Sequence, residues 1–421
     1  MDHDVEVLVI GAGPTGLALA AMLGRLGVHV RIVDKADGRS TKSKALGVHA
    51  GTLEALGDVF GTTLPGHMLA LGQPVRRAFF HLGGGRPLSL DLTAIPNPYS
   101  FILILPQSET ERLLEETAAA AGVGVERNVE ALDLQQDESG VQCRLRHPDG
   151  TVEMVRAAYV VGCDGAHSLV RHQVGAAFDG GAYSGIFLLA DLTLDWDLGF
   201  DAMHLFSTAA GAMAFFPLPG QSGKCRLVVM PRAPTVDPGA ADPGPDIDLP
   251  AFTALAESAS GRRLALRDPV WLTRFTIHHR MVGALRHGRV FLAGDAAHIH
   301  SPAGGQGMNT GIQDALNLAA RLVAVLRQGQ DASILDRYGQ DRLPVARRVL
   351  RGTDLIFRAA LLSGGWRGWL VRHLMPAIVA VPFLRRRVAL ALSQVDVARA
   401  ERPVRLAALA SAGQTGKGSG A

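Results

Sequence analysis

A glycine-rich turn near the start of the chain constrains the fold more than any other feature of the sequence. The turn reads Gly11-Ala12-Gly13-Pro14-Thr15-Gly16 and fits the pattern G-x-G-x-x-G. It follows a β-branched run at 5–10 and precedes an Ala/Leu-rich run at 17–26, so the spacing predicts a strand, a tight turn and a helix. A second predicted strand ends at Asp34, which completes a β-α-β unit and favours a parallel sheet.

The three glycines of this turn, which we call the first glycine loop, have separate physical roles. Gly11 permits the tight turn, Gly13 lets a diphosphate approach the backbone, and Gly16 lets the helix pack closely on the strand. Asp34 follows Gly16 by eighteen residues, at a strand end where its carboxylate can bond ribose hydroxyls and would repel a 2′-phosphate. The pattern therefore predicts a site for the adenosine of FAD or NAD and not for that of NADP.

Length, composition and charge exclude several classes of protein. A single hydrophobic core stops growing near ~250–300 residues, so the 421 residues indicate one large or two intermediate domains. Hydrophobic residues make up 48% of the chain and charged residues 19%, which excludes global disorder. The net charge of +3 is spread without a long basic run, and aromatic residues are only 5%, so we expect no nucleic-acid partner.

Cysteine usage and the apolar segments indicate a compartment. Cys143, Cys163 and Cys225 are odd in number, far apart and in no C-x-x-C pair, which indicates a reducing compartment and no zinc site. Residues 1–6 lack the order of a signal peptide. An apolar run at 374–384 is too short to span a bilayer, which needs ~20 residues. We expect a cytoplasmic protein without a membrane span, and we favour a packed C-terminal helix over an interfacial one.

A change of texture along the chain predicts the domain organisation. Strand-like runs replace helical periodicity in two stretches, which predicts a β-rich substrate domain inserted twice into the first domain. The expected fold class is α/β, a Rossmann-like FAD-binding domain with an inserted β-sheet domain and C-terminal helices. The predicted boundaries are 1–78, 99–180 and 280–355 for the first domain, 79–98 and 181–279 for the β-rich domain, 356–400 for a C-terminal helical segment, and 401–421 for a flexible tail.

A second glycine-rich loop follows another buried strand, which ends at Gly294 before Asp295. This second glycine loop, residues 301–309, leads into a helix that begins near Met308. Two glycine-lined helix N-termini suggest an extended ligand with an anion at one end and an electron-accepting ring at the other. FAD fits this description, with its diphosphate on the first helix, its ribityl chain by Asp295 and its ring over 305–309, where helix N–H groups can stabilise negative charge.

A third signature reads Val160-Val161-Gly162-Cys163-Asp164-Gly165-Ala166-His167-Ser168, with Arg171 three residues later. With it, the chain resembles the FAD-dependent aromatic hydroxylases, the single-component class A flavoprotein monooxygenases with the para-hydroxybenzoate hydroxylase fold. It resembles in particular those that act on aromatic polyketides. This signature, the first glycine loop and the Gly294-Asp295 element occur in the family's order and at its spacing, and the resemblance extends over roughly residues 5–397.

The resemblance implies a function. A member of this family holds FAD, uses NADPH or NADH as co-substrate and O2 as oxidant, and hydroxylates an aromatic ring through a flavin C4a-hydroperoxide. For this chain it implies a small-molecule aromatic substrate of the polycyclic polyketide type and a role in antibiotic biosynthesis. The protein would be a monomer or a homodimer. The cofactor supplies the chemistry, while the protein supplies orientation, electrostatics and exclusion of water.

The motifs and the resemblance together give candidate site residues. The resemblance implies that Asp164 helps to position both FAD and NAD(P)H, and that Gln107 contacts the ribityl chain. The candidate catalytic residues are Pro302, Gly305 and His298, and no metal ligand is expected. The candidate cofactor-binding residues are Gly11, Gly13, Pro14, Thr15, Gly16, Asp34, Lys35, Lys44, Gln107, Asp164, Gly294, Asp295, Pro302, Gly305, Gly307, Met308 and Asn309.

The chain departs from the family pattern in the segment after the second strand. Lys44 stands where the family often has Arg, and lysine is a point charge without the planar fork of arginine. Many relatives also carry two prolines where this chain has Ser301 and Pro302. Both departures fall on residues that the resemblance places next to the flavin.

Two alternatives stay open at the level of the sequence. The same fold and oxidant could carry out a Baeyer–Villiger or epoxidising reaction. Intact glycine motifs report FAD binding more directly than turnover, so a non-catalytic FAD-binding protein is the other alternative.

An apolar set in the β-rich domain either lines a planar aromatic pocket or forms the core of that domain. This set comprises Met203, Phe206, Trp271 and the segment Phe215-Phe216-Pro217-Leu218-Pro219.

Overall fold

The computed structural model describes residues 3–40, 45–82, 86–183, 185–220, 223–232, 247–301, 304–361 and 381–415. The strands are β1 (Val5–Ile10), β2 (Val30–Asp34), β3 (Gly47–Val48), β4 (Gln73–Val75), β5 (Arg77–His81), β6 (Leu88–Asp91), β7 (Ile102–Ile104), β8 (Val125–Arg127), β9 (Glu130–Gln136), β10 (Val141–Arg146), β11 (Val152–Gly162), β12 (Phe178–Ala182), β13 (Phe187–Asp195), β14 (Met203–Ser207), β15 (Gly211–Pro217), β16 (Lys224–Pro231), β17 (Ala265–Phe275), β18 (His278–Val282), β19 (Arg286–His287), β20 (Val290–Leu292) and β21 (His298–Ile299). The α-helices are α1 (Pro14–Arg25), α2 (Ala50–Phe60), α3 (Thr63–Leu71), α4 (Gln107–Ala120), α5 (Leu169–Gln173), α6 (Leu249–Ser260), α7 (Gly307–Leu326), α8 (Asp336–Leu361), α9 (Pro382–Ser393) and α10 (Val395–Thr415).

The first sheet carries the first glycine loop. Its strand order is β19-β20-β11-β1-β2-β8, and β10 and β9 extend it from β11. The central pairs β11-β20, β1-β11, β1-β2 and β2-β8 are parallel. Strand β1 is almost wholly buried, as is usual in a parallel sheet covered by helices: α1 contacts it, and α7 packs against α1. The predicted α/β fold class is confirmed.

The second sheet combines strands from two separated stretches of the chain. Its order is β17-β13-β16-β15-β14-β5-β6, so β5 and β6 join strands that follow them by more than a hundred residues. Helix α6 packs on one face of this sheet, where it forms a core with alternate side chains of β13 and β16. This helix begins at Leu249, and the side chain of Asp248, its N-cap, accepts from the N–H of Ala251.

Two short sheets connect these layers. Strand β18 pairs with β12 on one side and with β21 on the other, so His298 in β21 lies where the two larger sheets meet. Strand β7 pairs with β3 and with β4, and this pairing places the start of α2 beside the second sheet. The Gly294 turn follows β20 of the first sheet and leads into β21, which pairs with β18, the strand that follows β17 of the second sheet.

The C-terminal residues differ from the prediction. The flexible tail predicted for 401–421 is wrong over 401–415, because these residues continue helix α10. Its charged side chains find partners in the body of the protein: Arg405 is 1% exposed and donates to Asp58 Oδ2 at 2.7 Å. Long-range ion pairs of this kind leave no local pattern in the sequence. Most of the apolar run at 374–384, and residues 416–421, lie outside the described residues.

Candidate cofactor and active site

Two glycines of the first glycine loop are required by the packing of the chain, and the third is not. Gly11 has φ of +104°, and a Cβ there would lie 2.4 Å from the carbonyl oxygen of Cys163. A Cβ on Gly16 would lie 1.9 Å from the carbonyl oxygen of Gly11. Gly13 has φ of −77°, and a Cβ there would meet no described protein atom within 4 Å. Packing of the chain itself therefore explains Gly11 and Gly16, whereas the open space at Gly13 fits a ligand that approaches the backbone.

Two helix N-termini open onto the site without side-chain caps. Helix α1 begins at Pro14, whose missing N–H removes no helical bond, and it carries no acidic residue in its first turn. Helix α7 begins at Gly307, also without a side-chain cap or an acidic residue in its first turn, and a Cβ on Gly307 would meet no described atom within 4 Å. The unpaired N–H groups of such termini favour an anion. Both termini thus fit the charged parts of FAD.

Thr15 joins the first glycine loop to the two later elements. A Cβ on Gly294 would lie 2.5 Å from Thr15 Oγ1, and a Cβ on Gly311 would lie 2.4 Å from the same atom. The turn at Gly294 has φ of +61° and forms a short 3-10 helix that includes Asp295, whose side chain is exposed. Three glycine-bearing segments that are distant in sequence therefore meet at one threonine side chain.

Asp34 ends β2 directly below the first glycine loop. Its Oδ2 accepts from the backbone N–H of Ala12 at 2.7 Å, and its Oδ1 accepts from that of Ala36 at 2.8 Å. These bonds fix the carboxylate beside the loop, while its half-buried position leaves one side accessible. Lys35 follows it with an exposed side chain. The predicted juxtaposition of Asp34 with the first glycine loop is present, and its contact with ribose stays a prediction.

The Asp164 element is a structural joint between the first glycine loop and the Gly294 turn. Asp164 Oδ1 accepts from Ser168 Oγ at 2.5 Å, and its Oδ2 accepts from the N–H of Val170 at 3.1 Å. Burial raises the pKa of this carboxyl, although the bond from Ser168 opposes the shift. Arg171, 3% exposed, donates to the carbonyl oxygen of Ala296 at 3.1 Å. Both carboxylate oxygens of Asp164 accept hydrogen bonds from residues 168 and 170. The predicted contacts of Asp164 with FAD and NAD(P)H stay predictions.

The second glycine loop is held by Asn309. Its Nδ2 donates to the carbonyl oxygens of Gly47 at 2.8 Å and Gly305 at 2.9 Å, and its Oδ1 accepts from the N–H of His49 at 2.8 Å. These bonds occupy the side-chain amide, so only the backbone of Asn309 is available to a cofactor. His49 Nε2 lies 3.2 Å from the carbonyl oxygen of Gly305, and burial lowers the pKa of His49 to about 4. Neither partner of the loop was predicted from the sequence.

The remaining residues of this loop differ in how they could reach a ligand. Gly304 and Gly305 have φ of +86° and +62°, which favours glycine at both positions. Met308 is half-buried and packs against the core of the first domain. Pro302, predicted as catalytic, lies outside the described residues, as does Lys44. The backbone of 304–309 is therefore the part that the structure presents to a flavin.

His298 belongs to a buried ionic network. Its Nε2 lies 2.6 Å from Asp314 Oδ2, and Asp314 Oδ1 accepts from Arg342 Nε at 2.6 Å. Arg342 also donates from Nη1 to Glu401 Oε1 at 2.6 Å. All four side chains are nearly inaccessible, with Asp314 and Arg342 at 0% exposed. This position argues against the predicted catalytic role of His298 and favours a positioning role.

The charges of this network control the ionisation of Asp314. Burial alone would raise the pKa of Asp314, but the charges of Arg342 and His298 outweigh it and lower the pKa to about 2. Neighbouring His300, whose ring stacks on His298 with centroids 4.8 Å apart, has its pKa lowered to about 3 by burial. The sequence carries one signal for this pairing: Asp314 stands among the apolar residues of α7, and a charged residue at a buried position requires a partner.

Gln107 lies at the first position of α4, facing the segment between Lys44 and Gly47. Its Oε1 accepts from the N–H of Ala45 at 3.0 Å, and its Nε2 donates to Glu111 Oε1 at 2.8 Å. Burial raises the pKa of Glu111, which Gln107 partly offsets by this bond. The predicted contact of Gln107 with the ribityl chain stays a prediction.

One face of the second sheet packs on α6, and the other packs against residues that border the second glycine loop. Phe206 and Phe215 pack with α6 and belong to the core of the β-rich domain. Met203 and Phe216 lie on the opposite face, in a cluster with Leu46 and Leu392, which border the second glycine loop. The apolar set is therefore divided between the two alternatives left open by the sequence.

An ion pair interrupts the site-facing side of this sheet. Strand register aligns Trp271, Asp191, Arg226 and Phe216 across four neighbouring strands. Arg226 is 2% exposed and binds Asp191 through Nε and Nη2, at 2.6 and 2.7 Å, while its guanidinium lies 5.6 Å from the Trp271 ring. The face opposite α6 therefore combines apolar side chains with the buried Arg226–Asp191 ion pair.

The residues that the structure describes contain neither a metal-ligand cluster nor a membrane-spanning helix. Among them, no group of three or more His, Cys, Asp or Glu side chains is arranged to hold a metal ion. Likewise, none of the helices in the described ranges combines the length and the apolar character needed to cross a membrane.

Comparison with known proteins identifies the family of this site. A family described as "FAD binding domain" matches residues 4–353. A 6-methylpretetramide 4-monooxygenase from Streptomyces rimosus is 40% identical over 392 residues, which cover 91% of this chain and 67% of the relative. The solved anhydrotetracycline hydroxylase of Streptomyces rimosus superposes with a TM-score of 0.77 at 32% identity, covering 93% of this chain and 76% of that one. An aromatic hydroxylase from angucycline biosynthesis gives the same TM-score and identity over 94% of this chain and 76% of its own.

Proposed function

Because the chain belongs to the FAD binding domain family, we propose that it hydroxylates a polycyclic aromatic substrate of the polyketide type with FAD, NAD(P)H and O2. The chain is an FAD-dependent monooxygenase by its similarity to named enzymes of that activity. The observation that carries the substrate proposal is the apolar face of the second sheet, with Met203 and Phe216, above the second glycine loop. Such a face suits a planar, fused-ring molecule.

The proposed place of FAD follows from the two open helix N-termini. The diphosphate would bind at the N-terminus of α1 beside Gly13, and the adenosine ribose would bind Asp34. The ribityl chain would pass Asp295, and the ring would lie over the backbone of 304–309. Open space at Gly13 and Gly307, where a Cβ would meet no described atom within 4 Å, supports this placement.

Bound FAD would supply hydride acceptance from NAD(P)H and activation of O2 for transfer to the substrate ring. The chain's own part is to bind and orient. The N-terminal amides of α7 would stabilise negative charge on the ring, and Asn309 and His49 hold the loop that presents those amides. The apolar sheet face excludes water from the reacting atoms.

The alternatives left open by the sequence are not favoured. The relatives compared above are named as a monooxygenase and as hydroxylases, which does not favour a Baeyer–Villiger or epoxidising reaction. The named activities of these relatives also favour a turnover site over a scaffold that only binds FAD.

The direct test is NAD(P)H oxidation by the yellow purified protein with a panel of phenols, anthraquinones and tetracyclic polyketides. We expect oxidation of NADPH or NADH to be stimulated by fused-ring phenolic substrates, with a product whose mass gains one oxygen atom. Hydrogen peroxide measured in parallel separates coupled from uncoupled oxidation. Stimulation by single-ring phenols alone, with no fused-ring product, would refute the substrate proposal while leaving the monooxygenase activity intact.

Asp34 provides a separate test of the adenosine position. We expect Asp34→Ala to raise the Kd for FAD by about 10- to 100-fold, because losing a charged hydrogen bond costs ~1.5–3 kcal/mol. Flavin fluorescence titration of the apoprotein measures this Kd. Asp37→Ala, an exposed carboxylate three residues later, is the matched control and should leave the Kd unchanged. Equal affinity of both variants would show that the ribose binds elsewhere.

A further inference from the structure

The C-terminal segment of residues 391–405 lies directly against the second glycine loop. Gln306 Nε2, from the loop, donates to the carbonyl oxygen of Ala391 at 3.4 Å. A Cβ on Gly304 would lie 3.4 Å from Leu392 Cδ2, which places this leucine in contact with the loop. The segment therefore forms one wall of the loop over which we place the flavin ring.

Gln394 connects this segment to the first turns of α7. Its Nε2 donates to Thr310 Oγ1 at 3.1 Å, and its Oε1 accepts from Gln313 Nε2 at 2.9 Å. The side chain is 4% exposed, and its backbone has φ of +55° at the break between α9 and α10. The break thus turns a buried amide toward the helix whose N-terminus faces the flavin position.

Helix α2 packs against the backbone of the same residue. A Cβ on Gly51 would lie 2.3 Å from the carbonyl oxygen of Gln394, a separation that side chains do not adopt. The residue before this helix, His49, binds the second glycine loop through the carbonyl oxygen of Gly305. The start of α2, the C-terminal segment and the loop therefore meet, and the glycine at 51 is required for this close approach.

A second connection runs through Arg342. It donates from Nη1 to Glu401 of the C-terminal segment, from Nε to Asp314 of α7, and from Nη2 to the carbonyl oxygen of Thr310 at 3.2 Å. Asp314 in turn accepts from the N–H of Gly294 at 3.4 Å. One guanidinium thus joins the C-terminal segment both to the first turn of α7 and, through Asp314, to the Gly294 turn.

We propose that residues 391–405 are a clamp that positions the N-terminus of α7 and the second glycine loop against FAD, with Gln394 and Glu401 as positioning residues. This inference rests on the FAD placement given above. Because the clamp contacts the loop and not the cofactor, its loss should move FAD affinity and flavin potential together. A residue of merely structural importance would change the stability of the apoprotein alone.

The test compares two glycine-to-alanine changes in the same helix. Gly51→Ala should push Gln394 away, whereas a Cβ on Gly57 would lie 3.8 Å from its nearest neighbours, an ordinary contact. We expect Gly51→Ala to raise the Kd for FAD about tenfold and to lower the flavin reduction potential, measured by dye-linked titration. Gly57→Ala should leave both quantities at the parent values. Identical Kd and potential for Gly51→Ala and Gly57→Ala would overturn the clamp.

Gln394→Gly tests the clamp independently if Gly51→Ala does not fold. Gln394→Gly suits the φ of +55° and removes both side-chain bonds to α7, so we expect weaker FAD binding without backbone strain. Asp268→Gly, at an exposed position of β17 with φ of +52° and outside the clamp, is the matched control and should leave FAD binding unchanged. Parent-like FAD binding by Gln394→Gly refutes the clamp. If Asp34→Ala also binds FAD as the parent does, the FAD placement itself has failed.

Discussion

Replacing Gly13 with alanine is expected to remove tight FAD binding while the apoprotein stays folded. Its backbone, with φ of −77°, accepts any residue, and the added Cβ would meet no described protein atom within 4 Å. The methyl group would instead occupy the space where a diphosphate contacts the N-terminus of α1. Losing those charge-assisted bonds costs ~1.5–3 kcal/mol each, so we expect the Kd to rise by about 100-fold or more.

The measurement pairs FAD titration with unfolding of the apoprotein. We expect the free energy of unfolding of Gly13→Ala to change by no more than ~1 kcal/mol, since alanine is a poorer N-cap than glycine. Gly66→Ala in α3 is the control, because a Cβ there also meets no described atom but lies in a different part of the fold. Retention of parent-like FAD affinity by Gly13→Ala would place the diphosphate away from the first glycine loop.

Replacing Asp314 with alanine is expected to cost the apoprotein about 3–5 kcal/mol of unfolding free energy. The change leaves buried His298 without its carboxylate and Arg342 with Glu401 as its remaining acidic partner, and breaking a buried pair by removing one partner carries a penalty of this size. Denaturant unfolding measures the loss. Asp336→Ala is the matched control, because its ion pair with Arg286 at 2.8 Å is 58% exposed on the aspartate side and should contribute only ~0–1 kcal/mol.

The ionisation of Asp314 also makes the stability of the folded protein depend on pH. Its pKa in the folded protein is about 2, below the ordinary value of 3.8, so the ionised form stabilises the fold. This stabilisation is fully present above about pH 4 and is lost as the pH falls from there through 2. The parent should therefore lose stability more steeply across this window than Asp314→Ala. Parallel acid-unfolding curves for the two proteins would contradict the ion-pair assignment.

The sequence determined the elements whose signals are local. The β-branched run before the first glycine loop predicts β1, and the glycine spacing predicts a turn whose geometry tolerates no Cβ at Gly11 or Gly16. The second loop predicts a helix near Met308, and α7 begins one residue earlier. Backbone conformation and hydrophobic periodicity depend on residues that are close in sequence, so these elements can be predicted without knowledge of tertiary contacts.

Only the tertiary structure decided which side chains meet. Asn309 binds the N–H of His49 across 260 residues of sequence, and Arg405 reaches Asp58 across 347. Such pairs overturn the flexible tail predicted from residue 401 and leave only the backbone of Asn309 for its predicted cofactor contact. They also bury His298, which argues against its predicted catalytic role. In each case a polar side chain became buried, and burial requires a partner that packing supplies from a distant segment. The sequence therefore determined the glycine loops and the fold class, and the structure decided how the C-terminal helix and the Asp314 network hold those loops in place.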